Sequence, residues 1–288
     1  MPKKYLGQNF LFDPSILHRI VEAADIKHDD TVVEIGPGLG TLTKMLVEVA
    51  KKVIAIELDY ELYEKLKNEL KGLKNIKIIH GDALKYPYEE LDDFKVAANI
   101  PYYITTPIIF RLLEARKNLK SMTLTIQKEV AQRIVAKPNT KDYGILSIAV
   151  QYYGRPELKF IIPKGAFMPV PKVDSAVIHI EILKKPRVMV ADEKLFFRIV
   201  KTAFRQRRKM LSNALKSLPP LLPPLDKGGI GGVDIKEILI LSGIEPSRRA
   251  ETLEIEEFAR LSDLLQSTKT FGARSSTQQV ECSDKNAG

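Results

Sequence analysis

Cysteine is almost absent from this sequence, and so are the histidine patterns that bind metals. The one cysteine, Cys282, lies in a polar stretch without a partner, so neither a disulfide framework nor a cysteine-based metal site can form. The histidines are scattered and lack the spacing of metal ligands. They are His18, His28, His80 and His179. We therefore expect no metal in the functional site.

Long apolar runs are missing as well. No apolar stretch approaches the ~20 residues that a helix needs to cross a bilayer. Near the start, Lys3 and Lys4 are basic, but Tyr5–Phe12 is interrupted by polar residues and a glycine and is not the apolar core of a signal peptide. We expect a soluble, cytoplasmic protein that has no membrane partner.

Positive charge is concentrated in one part of the chain. Lysine and arginine outnumber aspartate and glutamate by 45 to 36. The segment from Lys184 to Lys216 has eleven basic residues against two acidic ones, an excess of nine that equals the net charge of the whole chain. Such a run is either a solvated helix face or a surface for a polyanion. The choice depends on whether the rest of the chain has chemistry for a polyanionic partner.

The 288 residues can form one full domain and a smaller second one. From Thr31 onward, short β-rich apolar runs alternate with helical stretches, which is typical of parallel βαβ units. The predicted strands are Thr31–Ile35, Lys52–Leu58, Ile76–His80, Lys95–Asn99 and Met122–Gln127. The helical stretches between them include Thr41–Lys51, Tyr60–Lys71 and Thr106–Glu114. We predict an α/β domain, residues 1–185, with a doubly wound, mostly parallel sheet covered by helices on both faces.

Further elements flank these units. Asp13 as N-cap and Pro14 in the first helical position predict a leading helix, whose apolar stripe should pack on the sheet. The stripe consists of Ile16, Leu17, Ile20, Val21 and Ala24. Two later runs, Lys159–Ile162 and Ala176–Leu183, suggest an antiparallel edge pair.

A small, all-helical second domain is predicted for residues 186–266. It starts near Pro186, and from Asp192 an apolar helix face lies opposite a basic one. The apolar residues are Phe196, Val200, Ala203, Phe204, Leu211 and Leu215, and the basic ones are Arg198, Lys201, Arg205, Arg208 and Lys209. Further helical patterns are Ile235–Ser242 and Ile255–Leu265. Between these helices, the Pro/Gly-rich stretch 218–232 should be a loop, and the polar tail 267–288 should be disordered.

A glycine-rich segment, Glu34–Gly40, follows the first predicted strand of the βαβ series. Glycines at such a point let the backbone turn sharply and approach a nucleotide-like ligand beyond the strand's carboxyl end. Here Gly36, Gly38 and Gly40 alternate, which departs from the G-x-G-x-x-G pattern of dinucleotide pyrophosphate sites. A ligand without phosphates therefore fits better.

Acidic residues end the next two predicted strands. Glu57, about twenty residues after the glycines, lies where a carboxylate can accept hydrogen bonds from both hydroxyls of a ribose. Asp82 follows the third strand, in position to approach the adenine of the same ligand. Either acid alone could be a helix N-cap or a loop carboxylate. Together, at successive strand ends, they favour a cofactor made of a nucleoside and an amino acid.

The fourth predicted strand ends in the segment Asn99–Tyr102. An amine conjugated with an adenine ring is a poor nucleophile, and two acceptors on its hydrogens, the Asn99 side-chain oxygen and the Ile100 carbonyl, would favour its more nucleophilic, pyramidal form. Pro101 stiffens the turn, and Tyr102 can stack on a base that has left its helix. The alternative is a β-turn with an ordinary packing tyrosine.

A second aromatic residue, Phe167, lies in the proline-stiffened loop Phe167–Ser175 before the last predicted strand. It can close the other face of the base, since stacking of a base on an aromatic ring contributes ~1–3 kcal/mol. The alternative is that Phe167 simply fills the core.

Taken together, these motifs closely resemble those of the ribosomal RNA adenine dimethyltransferases of the KsgA type. The resemblance covers roughly residues 3–266. It rests on Gln8–Leu11, Glu34–Thr43, Glu57, Gly81–Ala83, Asn99–Tyr102, Tyr143–Ser147, Phe167–Ser175 and Phe204–Lys209. The Pro/Gly-rich stretch and the polar tail depart from the family pattern but touch no motif.

The resemblance implies a Rossmann-like methyltransferase domain that binds S-adenosylmethionine. The expected cofactor-binding residues are Gln8, Asn9, Leu11, Gly36, Gly38, Glu57, Leu58, Asp82, Ala83 and Asn99. The residues expected to act on the target adenine are Asn99, Ile100, Tyr102 and Phe167. Those expected to bind RNA are Arg198, Lys201, Arg205, Arg207, Arg208 and Lys209.

The implied reaction is dimethylation of two adjacent adenosines in a loop near the 3′ end of small-subunit (16S) ribosomal RNA, with a role in subunit maturation. The partners would be this RNA and the small subunit or its precursor, and we expect a monomer. One alternative is the large-subunit adenine methyltransferase that confers macrolide resistance. The small-subunit enzyme is favoured over it by the segments Arg205–Lys209 and Arg248–Glu251. Another is a non-catalytic RNA-binding assembly factor. An NAD-dependent dehydrogenase is disfavoured by the glycine spacing.

Overall fold

A computed structural model describes residues 8–218 and 234–267 of the chain. Some features named above lie outside these described residues. They are Lys3 and Lys4, the Pro/Gly-rich stretch from 219 to 232, and the polar tail from 268 with Cys282. The predictions of a loop and a disordered tail therefore stay predictions.

The described residues divide into two compact units. The first consists of residues 8–135 and Tyr153–Arg187, and the second of Ala136–Tyr152 and the described residues from Val188 onward. The main break after Arg187 lies close to the predicted boundary at Pro186, but residues 136–152 group with the second unit. The buried Tyr152 gives a physical reason, since its ring lies 4.9 Å from that of Phe196 in the second unit.

The described residues contain nine strands and ten α-helices. The strands are β1 (Phe10–Leu11), β2 (Thr31–Ile35), β3 (Lys52–Glu57), β4 (Ile76–His80), β5 (Phe94–Asn99), β6 (Leu119–Gln127), β7 (Gly154–Ile162), β8 (Phe167–Met168) and β9 (Ser175–Ile182). The helices are α1 (Pro14–Ala24), α2 (Thr41–Val49), α3 (Tyr60–Glu69), α4 (Thr105–Glu114), α5 (Lys128–Val135), α6 (Ile145–Tyr153), α7 (Glu193–Arg205), α8 (Leu211–Ala214), α9 (Ile235–Leu241) and α10 (255–267).

Seven strands form the sheet of the first unit, in the order β4-β3-β2-β5-β6-β9-β7. The strands from β4 to β6 are parallel, and β9 runs antiparallel between β6 and β7. This confirms the predicted mostly parallel sheet and its antiparallel edge pair. The chain runs outward from β2 to β4 and then returns to β5 on the other side of β2. Ligand crevices of such sheets lie at this reversal, beyond the carboxyl ends of the strands.

The first helix forms as its sequence predicts. The side chain of Asp13 accepts a hydrogen bond from the Ser15 backbone N–H at 2.9 Å, and Pro14 is the first helical residue. Leu17, Ile20 and Ala24 are buried in one cluster with side chains of α2 and of the sheet. The apolar stripe thus fixes α1 against the sheet.

The basic segment of the second unit is not one continuous helix, which corrects the prediction. Helix α7 begins after its N-cap Asp192 and ends at Arg205, and α8 starts only at Leu211. In between, the Lys209 N–H donates to the Gln206 carbonyl at 2.9 Å, and the Leu211 N–H donates to the Arg248 carbonyl at 2.7 Å. These bonds replace helical ones, so the residues from 206 to 210 form a turn. The predicted apolar residues are nevertheless buried on both sides of it.

Gly40 offers a test of how tightly the segment after β2 packs on α3. Its φ is +76°, and a Cβ there would lie 2.4 Å from Cδ1 of the buried Leu66. Gly40→Ala should lower the free energy of unfolding by about 2–5 kcal/mol, because backbone strain of ~1–2 kcal/mol adds to overpacking of ~1–3 kcal/mol. Urea denaturation measures this loss.

Two glycines serve as controls for that experiment. Gly72 has a φ of +101° but nothing within 4 Å of its Cβ position, so Gly72→Ala should show the backbone strain alone. Gly165 has neither a positive φ nor a neighbour within 4 Å, so Gly165→Ala should be near neutral. Equal losses at Gly40 and Gly72 would contradict the contact with Leu66.

Candidate functional site

A cleft opens beyond the carboxyl ends of β2, β3 and β5, and holds about 1040 Å³ of non-protein space including its mouth. It brings together every predicted cofactor-binding residue. These are Gln8, Asn9, Leu11, Gly36, Gly38, Glu57, Leu58, Asp82, Ala83 and Asn99. Of the residues predicted to act on the target, Asn99, Ile100 and Tyr102 also line it. Sequence reasoning gave no site role to Glu34, Thr41 or Tyr103, which line it as well.

The glycine-rich segment is hydrogen-bonded to Glu57 at the end of β3. The Gly38 backbone N–H donates to Oε2 of Glu57 at 3.0 Å, and the φ of Gly38 is +58°. A Cβ on Gly38 would lie 2.8 Å from the ring of Phe10, so only glycine leaves room for β1 at this point. The absence of this Cβ is what lets the segment from residue 8 to 11 form a wall of the cleft.

Glu57 is held rigidly at the end of β3. Its second oxygen, Oε1, accepts a hydrogen bond from the Asp59 backbone N–H at 2.8 Å. Its side chain is almost fully buried, and burial raises the pKa of the Glu57 carboxyl although the two N–H donors counteract this. The next acid, Asp59, accepts from Nε2 of Gln8 at 3.3 Å, which ties the N-terminal segment to the same strand end.

Glu34 is a second buried acid in the cleft wall. It is 2% exposed, and neither its Oε2 nor the Thr43 hydroxyl has a fully formed hydrogen bond among the described residues. Burial raises the pKa of Glu34 to about 8; the neighbouring Thr43 hydroxyl counteracts this rise, and the charge of Glu57 adds to it. The carboxyl is therefore mostly protonated at neutral pH. An acid inside the otherwise apolar strand Thr31–Ile35 was the sequence signal for this group.

Asp82 occupies the end of β4. Its Oδ1 accepts a hydrogen bond from the Leu84 backbone N–H at 2.9 Å, which fixes the turn after the strand. The side chain is half-buried and lines the cleft. Glu34, Glu57 and Asp82 thus give the cleft three acidic side chains, and no lysine or arginine is among the described residues that line it.

The segment Asn99–Tyr102 lines the same cleft and is held by hydrogen bonds along its length. Nδ2 of Asn99 donates to the Asn9 carbonyl at 3.0 Å, which leaves Oδ1 of Asn99 as an acceptor. The Ile100 backbone N–H donates to the Thr125 carbonyl at 3.1 Å. The Tyr102 hydroxyl lies 2.7 Å from Oγ of Ser175, and burial raises the pKa of this phenol.

Phe167 lies elsewhere in this structure. It pairs with Leu11 in the small β1–β8 sheet, is 2% exposed, and belongs to the core cluster rather than to the cleft lining. Its ring therefore has no face open to a base in this arrangement. Tyr103, by contrast, is 53% exposed and lines the cleft.

The predicted RNA-binding residues of the second unit differ in exposure. Lys201, Arg205, Arg208 and Lys209 are exposed, and Arg198 is half-buried. Arg207 is engaged, since its guanidinium donates to the carbonyls of Lys141 at 2.8 Å and Tyr143 at 2.9 Å. Arg207 therefore holds the turn after α7 in place.

Two kinds of feature are absent from the described residues. In residues 8–218 and 234–267 no helix has the length and apolarity to cross a membrane. Within the same ranges, no three histidine, cysteine or acidic side chains are grouped so that they could hold a metal ion.

The sequence matches the family described as ribosomal RNA adenine dimethylase over residues 2–266. It is 49% identical to ribosomal RNA small subunit methyltransferase A of Clostridium acetobutylicum over 264 residues, covering 90% of this chain and 92% of the relative. The protein of the same name from Listeria monocytogenes is 47% identical over 272 residues, with 91% and 90% covered.

Two solved structures are similar over most of their length. A dimethyladenosine transferase from Plasmodium falciparum has a TM-score of 0.74 at 28% identity, covering 88% of this chain and 95% of that one. The 23S rRNA methyltransferase ErmE has a TM-score of 0.67 at 28% identity, with 90% and 100% covered.

The raised pKa of Glu34 has a measurable effect on stability. Between pH 4.5 and about 8 the folded state retains a proton that the unfolded state releases, so this group makes the protein less stable as pH rises, by at most about 1.4 kcal/mol per pH unit. Glu34→Gln cannot titrate. The melting temperature of Glu34→Gln relative to that of the parent should therefore increase from pH 5 to pH 8.

Glu48→Gln, which removes an exposed carboxylate of α2, is the matched control. Its melting temperature should follow that of the parent across this range. A constant difference between Glu34→Gln and the parent at all pH values would mean that Glu34 is ionised in the folded protein.

Proposed function

We propose that this chain, which belongs to the ribosomal RNA adenine dimethylase family, transfers methyl groups from S-adenosylmethionine to N6 of two adjacent adenosines near the 3′ end of small-subunit ribosomal RNA. The chain is an S-adenosylmethionine-dependent rRNA adenine dimethyltransferase of the small subunit. Relatives that act on this subunit are close to half identical to it, whereas the 23S enzyme is 28% identical. The large-subunit alternative is therefore not favoured.

The acidic lining of the cleft is the observation that carries the cofactor assignment. Glu34, Glu57 and Asp82 line it, and no basic side chain does so among the described residues. Even with Glu34 protonated, a pyrophosphate would find no positive side chain among these residues, whereas a ligand without phosphates and with a positive sulfonium and ammonium would be attracted by the other carboxylates. The cleft therefore fits S-adenosylmethionine, and it does not fit a dinucleotide.

The residues of the cleft suggest how the cofactor is held. Glu57 would accept hydrogen bonds from the ribose hydroxyls, because its oxygens have lone pairs beyond those that Gly38 and Asp59 use. Asp82 would face the adenine, and the backbone of Gly36 and Gly38 can approach the ligand without a Cβ. When bound, S-adenosylmethionine supplies a methyl group activated by its positive sulfur.

Asn99 would act on the target amine. Because its Nδ2 already donates to the Asn9 carbonyl, its Oδ1 is oriented to accept a hydrogen bond. Together with the Ile100 carbonyl, it can bind both hydrogens of an exocyclic amine and favour the pyramidal nitrogen that attacks a methyl group. Tyr102, held by Ser175, and the exposed Tyr103 supply rings against which an extruded base can stack.

RNA affinity would come in part from the second unit. Its exposed basic residues lie on α7 and in the turn that follows. They have no chemistry for methyl transfer, but they can neutralise backbone phosphates of a folded RNA. We infer that the protein works as a cytoplasmic monomer on the small ribosomal subunit or its precursor.

Substitution of Asn99 tests the mechanism directly. The parent protein should methylate two adjacent adenosines when it is given S-adenosylmethionine and small-subunit particles from cells that lack the enzyme. Asn99→Ala should lower kcat by about a hundredfold or more, because it removes an interaction that strengthens in the transition state. Nucleotide mapping and steady-state kinetics provide both measurements.

Asn68→Ala is the control, because it makes the same asparagine-to-alanine change on the exposed face of α3. It should keep the parent's kcat. If Asn99→Ala changed only the KM for RNA, Asn99 would bind the substrate without aiding the reaction. If the parent methylated no adenosine in these particles, the proposed function itself would be wrong.

A second prediction concerns the basic residues after α7. The triple variant Arg205→Gln, Arg208→Gln, Lys209→Gln leaves the structural Arg207 in place. It should bind small-subunit RNA more weakly and flatten the slope of log K against log salt by roughly 0.7–0.9 per lost phosphate contact.

Replacement of Lys71, Lys74 and Lys77 by Gln is the matched control, because it removes equal charge from exposed positions at the β4 edge of the sheet. This control should keep the parent's slope, and both variants should bind S-adenosylmethionine normally in calorimetry. An unchanged slope in the Arg205, Arg208 and Lys209 variant would show that these side chains are only solvated surface.

A further inference from the structure

A second, shallower concavity lies on the first unit. Three lysines line it: Lys128, Lys164 and Lys172. Glu129, Gln132, Val173 and Asp174 complete its wall. We call this concavity the lysine pocket. None of the three lysines was given a role from sequence, and Lys172, Val173 and Asp174 were named only as part of the loop Phe167–Ser175.

Asp174 assembles the lysine pocket from three separate segments. Its backbone carbonyl accepts a hydrogen bond from the Lys128 N–H at 3.0 Å, at the first residue of α5. Its side-chain Oδ1 accepts from the Lys164 N–H at 3.1 Å, in the turn after β7. Lys172 lies two positions before Asp174 in the same loop. Asp174 therefore holds the backbone N–H groups of two of the three lysines.

The lysine pocket keeps an excess of positive charge, because three lysines and two acidic side chains line it. Among the described residues, no acidic side chain forms an ion pair with Lys128, Lys164 or Lys172. Of the two acids in the wall, Glu129 pairs with Arg133, and Asp174 accepts from a backbone N–H. Clustered lysines repel one another unless an anion binds between them. This arrangement fits a phosphate-bearing ligand.

The lysine pocket lies next to the cleft. Ser175 follows Asp174 in the chain, and its Oγ lies 2.7 Å from the hydroxyl of Tyr102, which lines the cleft. Lys128 follows the last residue of β6, Gln127, which pairs with Ser175 across the sheet. The Tyr102–Ser175 contact thus links the lining of the cleft to the loop that carries Asp174. An RNA strand that delivers a base to the cleft would bring its neighbouring phosphates to this point.

We propose that the lysine pocket binds backbone phosphates of the nucleotides that flank the target adenosine. This inference rests on the proposed function, because it takes RNA as the substrate of the cleft. Its contacts are with phosphate oxygens, so the pocket fixes the position of the strand and does not read its sequence. Val173, which is 44% exposed in the pocket wall, adds an apolar surface for an unstacked base.

The test uses the full chain and small-subunit particles from cells that lack the enzyme. Changing Lys128, Lys164 and Lys172 together to Gln should weaken RNA binding several-fold and flatten the salt slope by about 0.7 for each lost single-strand contact. The KM for RNA should rise while kcat at saturating RNA stays near that of the parent. Changing the same three residues to Arg keeps the charge and should restore both the affinity and the slope.

Two controls make the result decisive. The variant with Gln at positions 71, 74 and 77 removes equal charge elsewhere and should keep the parent's slope. Calorimetry with S-adenosylmethionine should give the parent's affinity for all variants, which shows that the cleft is intact. The triple Gln variant of the lysine pocket could match the parent in affinity, slope and KM while the parent methylates the RNA. In that case the proposed role of the pocket in RNA binding would be wrong, and the proposed function would stand. If the parent methylated no RNA, the failure would lie in the proposed function.

Discussion

The carboxylate of Glu57 accepts hydrogen bonds from two backbone N–H groups, one on the glycine-rich segment after β2 and one just before α3. Buried carboxylates are costly unless such donors surround them, so the two bonds are needed for the acid to remain at this position. By drawing Gly38 toward β3, Glu57 also sets where Phe10 can pack. The segment around Phe10 in turn presents the Asn9 carbonyl that orients Asn99. The ligand side and the target side of the cleft thus depend on one side chain.

Much of this arrangement could be predicted from sequence because it follows from local rules. The alternation of strand-like and helix-like periodicities predicted the parallel sheet, and an aspartate followed by a proline predicted the start of α1. The cleft could be predicted because acids and an asparagine end successive parallel strands, and the ends of parallel strands meet at one edge. In each case the signal lay within a few residues of the feature that it predicted.

Features that depend on contacts between distant residues could not be predicted in this way. Phe167 reads as a loop aromatic, but its pairing with β1 buries it in the core. The sequence after Asp192 has the pattern of one continuous helix. In the structure α7 ends at Arg205, and Arg207 donates hydrogen bonds to the carbonyls of residues 141 and 143. The lysine pocket exists only because Asp174 joins three segments.

A cleft that is lined by carboxyl groups, with no lysine or arginine among its described lining residues, can distinguish ligands by charge as well as by shape. Donation of a methyl group converts a positively charged sulfonium into a neutral thioether, while the rest of the cofactor keeps its form. The spent molecule therefore loses part of the electrostatic attraction that held the loaded one, in a setting where burial strengthens such differences. For an enzyme that must exchange its cofactor several times on one substrate, the acids of the cleft would then favour turnover as well as binding.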